Sequence, residues 1–211
     1  MLLLALTVWF AAWQGVPLAE LTRDGSAVAG AAFWTGALSN IGILLWCATA
    51  SACLLTAGVL RATSEKAATR RFVFFAGLFT TVLMLDDLFL FHETIAPRHL
   101  GLPENIVLLA YGLLAVALLA FHRRLIARSA YGILGIGLAC FAGSILIDRL
   151  HRVGLVPRMG FVSPQDLSFL LEDGFKLLGI AGWFGYYGWV CYTSLTASRR
   201  AAPEGSPPAR R

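Results

Sequence analysis

Residues Phe72 to Glu93 read FVFFAGLFTTVLMLDDLFLFHE. Fourteen uncharged residues follow Arg71, and then two aspartates arrive together. A helix rises about 1.5 Å per residue, so Asp86, fifteen residues beyond Arg71, would lie roughly 22 Å into a hydrocarbon core of ~30 Å. A carboxylate at that depth costs at least ~2.5 kcal/mol unless it faces a polar cavity or a partner. The stretch therefore reads as a membrane-spanning helix that carries chemistry near one end.

The rest of the chain agrees. Of 211 residues, 58% are hydrophobic and 14% charged, whereas a soluble domain is about a quarter charged. Mean hydropathy is +0.72. The fold class expected is all-α, a polytopic bundle of about six transmembrane helices forming one domain over residues 1–197. Met1 to Ala19 has no Lys or Arg before its apolar stretch and so reads as a retained first helix. The uncharged run Ala27–Leu60 is too long for one upright span, so Gly36–Leu60 is taken as the second helix and Phe33–Trp34 as interfacial or re-entrant. The third runs from Phe72 to about Glu93, the fourth from Asn105 to Phe121, the fifth from Ala130 to Asp148.

The sixth starts at Ser163-Pro164-Gln165-Asp166, with an N-cap serine, proline first and an acid third, and runs to about Thr196. Within it Gly179, Gly182, Gly185 and Gly188 suit close helix contact. Residues 198–211 read as a disordered cytoplasmic tail. The cysteines Cys47, Cys53, Cys140 and Cys191 lie in apolar runs without a CxxC pair and read as packing residues.

Charge sorts by loop. Eleven of the seventeen Lys and Arg fall in the 61–71 loop, the 122–129 loop and the tail, which six helices would put on one side. Positive-inside reasoning makes that side, and both termini, cytoplasmic. The net charge of +5 is then explained by topology, and nucleic acid is not expected as a partner. Ten of the twelve acids, with His92, His99 and His151, gather at the opposite face.

Asp86 and Glu93 are seven apart and would share a helix face, flanked by Asp87 and His92. Such carboxylate and imidazole donors suit a divalent ion, zinc above all, with Asp86, Asp87, His92, Glu93 and Glu172 as candidate ligands. They equally suit acid–base catalysis or a proton relay, with Asp86, Asp87, Asp148 and Asp173 as candidate catalytic groups. A plainer alternative pairs Asp86 and Asp87 with Arg149 or Lys176, pinning helices together. Glu172 and Lys176 are also a favourable (i, i+4) pair.

Phe91-His92-Glu93-Thr94-Ile95 resembles the Phe-His-x-Thr-Leu motif of the alkaline ceramidase and adiponectin-receptor-like (CREST) membrane hydrolases. The resemblance implies a zinc-dependent amide hydrolase of lipids, with His92 a metal ligand. Leu88 stands where that family has serine, and its late His-x-x-x-His pair has no counterpart here. Two functions are thus expected: a metal-dependent hydrolase of a lipid-like substrate at the outer leaflet, or a cation- or proton-coupled binding or transport protein. An assembly surface for a partner protein is the third reading.

Overall fold

The computed structural model describes residues 1–62, 67–155 and 163–201, and among them every regular element is helical. Two compact units divide the chain, residues 1–37 and residues from 38 onward. The first unit holds α1 (Leu2–Gln14), α2 (Leu18–Thr22) and α3 (Gly25–Val28). α1 stops at Gly15, whose φ of 69° takes the left-handed conformation that glycine adopts without a Cβ penalty. At 13 residues α1 is about 20 Å long, shorter than the expected first span. Asp24 caps α3 by accepting from the Ala27 amide at 3.1 Å. Phe33 and Trp34 lie in a turn, both exposed, and their rings meet edge to face.

The second unit contains five long helices: α4 (Ala37–Val59), α5 (Ala67–Phe89), α7 (Glu104–Phe121), α9 (Tyr131–Arg152) and α10 (Pro164–Ala201). Short helices α6 (Ala96–His99) and α8 (Arg123–Ile126) lie in the connections on either side of α7. Four of the long helices, α4, α5, α7 and α9, are long and apolar enough to cross a membrane. α10 has no charge from Leu177 to Ala197, but glycines and tyrosines dilute its hydropathy. Its start follows the sequence signal: the Asp166 amide donates to Ser163 Oγ at 3.0 Å while that hydroxyl donates back to Asp166 Oδ2 at 2.6 Å. The helix continues past the expected end at Thr196 to Ala201, so the tail expected from residue 198 begins as helix. Its residues 202–211 lie outside the described ones.

The core is aromatic. Trp46 of α4 stacks on Phe141 of α9 at 5.8 Å and meets Trp183 of α10 edge to face, and Trp183 Nε1 donates to Thr80 Oγ1 of α5 at 3.0 Å. Tyr186, buried, shares a hydrogen bond with Ser129 at 3.0 Å. Without a hydrophobic drive between helices in lipid, close packing and such bonds hold the bundle together.

α9 and α10 approach most closely at glycine. A Cβ on Gly182 would stand 2.8 Å from Gly137 Cα, and one on Gly179 would stand 2.8 Å from the Phe141 ring. Gly185 has only Ile133 at 3.6 Å, and Gly188 faces open space. A three-residue step turns about 300°, so each glycine lags its predecessor by about 60° and Gly188 ends on the side opposite Gly179. The stripe expected from the sequence is an interface only in its first half. Gly182→Val should therefore destabilise by about 1–3 kcal/mol through forced separation of the two helices. Gly188→Ala should be neutral or stabilising by up to ~1 kcal/mol. Detergent unfolding of the two variants side by side checks the ordering, and equal effects would refute it.

Candidate functional site

The end of α5 decides how the acidic cluster is built. The α-helix stops at Phe89, and Leu90 takes φ 51° and ψ 45°, a left-handed conformation uncommon for a residue with a Cβ. A wide π-type turn follows over Phe91–Ile95, with the amides of Thr94 and Ile95 both donating to Leu90 O. Such turns are frequent at functional sites. The break also cancels the expected shared face of Asp86 and Glu93, since that spacing assumed an unbroken helix. The left-handed residue redirects the chain, and His92 reaches Asp86 instead.

Asp86 is 5% exposed, and both of its oxygens are engaged. Its Oδ1 accepts from the His92 amide and from Tyr111 Oη of α7, each at 2.9 Å, while Oδ2 pairs with His92 Nδ1. One carboxylate thus closes the strained turn, ties it to α7 and fixes the imidazole. His92 Nε2 is left facing Glu93 Oε1 at 3.5 Å, and Glu93 is half exposed. Burial works against a charge on His92, but the hydrogen bond and charge of Asp86, with Glu93 behind them, outweigh it. The pKa of His92, outside the apolar span, is raised above its usual value.

Asp87 points elsewhere. Its Oδ2 accepts from Trp46 Nε1 at 2.9 Å and its Oδ1 from Lys176 Nζ at 2.7 Å. It joins α4, α5 and α10, as the pinning alternative anticipated for Lys176. Asp173, Ser39 and this pair line a cavity of about 30 Å3, the room of a single water. Glu172, ahead of the uncharged part of α10, has its pKa raised by burial first and then by the charges of Asp148 and Asp173. Lys176 opposes that shift and also feels Glu93 and Asp173, so the acids of α5, α9 and α10 do gather within electrostatic reach.

Asp148 takes part in a separate network at the edge. Arg152, one turn on, donates to Asp148 Oδ1 at 2.9 Å and to both oxygens of Glu104 at 2.9 Å; Arg149 pairs with Asn105. Asp148 accordingly has its hydrogen-bonding partner on its own helix and does not touch Asp86. Trp46, Tyr111 and Asn105 are partners that charge patterning alone could not select. Their one sequence signal is a polar group inside, or at the head of, an apolar run.

A divalent ion needs four or more donors around a point. Among the described residues no group of three or more His, Cys, Asp or Glu side chains converges in that way. The oxygens of Asp86 and Asp87 are already held by Tyr111, His92, Trp46 and Lys176. The donors as arranged do not fit zinc. They form a hydrogen-bonded aspartate–histidine pair beside an ammonium-centred acidic cluster. That combination can hold and release protons.

No curated protein and no solved structure matches this chain. A family described as a domain of unknown function, DUF8692, matches residues 1–190, and the chain belongs to that family.

Proposed function

We propose that this membrane protein is a proton-coupled binding protein whose site lies at the acid-rich end of the bundle and exchanges protons for a small cation. The observation that carries the reading is the grip of Asp86 on His92 Nδ1, which leaves Nε2 as the exchangeable position beside the exposed Glu93. Glu172 supports it, because a carboxyl whose pKa is raised by burial and then by its acidic neighbours is one that an arriving cation would deprotonate. In this reading α10 is a fifth span beside α4, α5, α7 and α9. The amino-terminal unit supplies the sixth, and both termini are cytoplasmic. Reporter fusions after Gly101 and after Arg200 should then report opposite sides of the membrane.

The deciding experiment follows pH in weakly buffered, purified protein as Na+, K+ or Li+ is added. Cation entry should release about one proton per chain, since donors must deprotonate to bind. The release should vanish in His92→Gln and shrink in Glu172→Gln. No release with any of the three ions would refute the proposal. Zinc that survives purification at one per chain and leaves with His92→Ala would instead favour the metal-dependent hydrolase of lipid-like substrates.

A further inference from the structure

At the opposite, basic end of the bundle α5, α7 and α8 line a cleft of about 1060 Å3. Its walls are apolar, with Phe75, Leu78 and Val82 on α5 and Leu114, Leu118 and Phe121 on α7. α7 buries only Val107 and Leu118, so most of its surface is free to meet lipid. The rim is a different material. Arg71 of α5 and Arg123 and Arg124 of α8 also line the cleft, and no carboxylate pairs with them among the described residues. His122 holds the corner between α7 and α8 by bonding Leu118 O through Nδ1 at 2.9 Å and packing its ring on Phe72.

We propose that this cleft is a binding site for one anionic phospholipid of the leaflet at the basic end. Its acyl chains would lie along α5 and α7, and its phosphate would sit among Arg71, Arg123 and Arg124. Charge and depth both argue for that occupant. Three guanidiniums with no carboxylate partner among the described residues attract and fork onto phosphate oxygens. From Arg71 to Val82 the apolar wall runs eleven residues, about 16 Å, which is half of a ~30 Å hydrocarbon core. A groove one leaflet deep, apolar inside and cationic at the mouth, has the polarity profile of a single lipid. The proposal is independent of the proton-coupled site, whose residues Asp86, His92, Glu93 and Glu172 do not line the cleft.

The test is native mass spectrometry of full-length protein taken from bilayers of equimolar phosphatidylcholine and phosphatidylglycerol. Wild type should retain phosphatidylglycerol in preference to phosphatidylcholine. The triple variant Arg71→Gln, Arg123→Gln, Arg124→Gln should lose that preference by about fivefold per arginine, on the order of a hundredfold together. Arg128→Gln, which does not line the cleft, should leave it unchanged. Ala117→Trp, which fills the cleft with every charge intact, should lose the lipid as well, and it serves if the triple variant does not fold. Equal retention of both lipids would mean that the arginines select no charge, and an equal loss in Arg128→Gln would mean diffuse attraction; either would overturn the site. So would a dimer that Ala117→Trp dissociates while the lipid count stays the same.

Discussion

Lys176→Met is expected to destabilise the protein by about 2 kcal/mol or more, because it leaves the Asp87 carboxylate without its cation. Removing one partner of a fully buried pair costs ~3–5 kcal/mol. The expectation here is lower, since the Lys176 side chain keeps 33% exposure against 10% for Asp87. The informative comparison is the double variant Lys176→Met, Asp87→Asn. The asparagine still accepts from Trp46 Nε1 but carries no charge to strand, so most of the loss should return. SDS-titrated unfolding of wild type, both single variants and the double completes the cycle. A coupling of at least ~1.5 kcal/mol is expected between the two positions, and simple additivity would show that the pair merely coexists. Under the proposed function the same cycle is informative again, because proton-for-cation exchange would need Lys176 to balance the acids when the cation is absent.

Periodicity and charge were enough to locate the long helices, because each is an uncharged run closed by charge or by a capping signal. The starts of α4, α7, α9 and α10 fall within a residue of expectation. α5 begins earlier, at Ala67, since Arg70 and Arg71 are good helix formers and do not stop a helix. Its other end, at Phe89 instead of the expected Glu93, has a cause that local sequence does not carry. Leu-Phe-Leu-Phe-His-Glu contains no glycine, proline or asparagine to announce a left-handed residue at Leu90. That conformation is held from outside, by the acceptors Asp86 offers to the His92 amide and ring and by Tyr111 from another helix. Depth counted along the sequence singles out Asp86 and Asp87 among the acids. Their orientations depend on partners 25 to 89 residues away, at Tyr111, Trp46 and Lys176, and no spacing rule reaches that far.

Asp86 can be separated into its structural and chemical roles by two substitutions. Asp86→Ala strands the His92 amide, the His92 ring nitrogen and the Tyr111 hydroxyl together. At about 1–3 kcal/mol for each buried group left unsatisfied, the π-type turn should unravel and expression should fall sharply. Asp86→Asn is gentler. Its carbonyl oxygen can still accept from the His92 amide and Tyr111, while its amide nitrogen now faces His92 Nδ1 as a donor. The imidazole must therefore present Nδ1 as an acceptor, which moves the proton to Nε2 and disfavours the doubly protonated ring. The pKa of His92 is raised in the wild type, where Asp86, Glu93 and Lys176 are the charged groups around it. A raised folded-state pKa contributes stability that is full below the unfolded value of about 6.5 and is lost as pH rises through the folded value. Asp86→Asn should abolish that pH-dependent increment while keeping the fold, and the imidazole carbon signals should titrate at lower pH than in wild type. Proton release on cation addition should disappear in the same variant. If instead Asp86→Asn keeps the wild-type His92 titration, then Asp86 does not govern the proton, and its role is limited to bracing the turn.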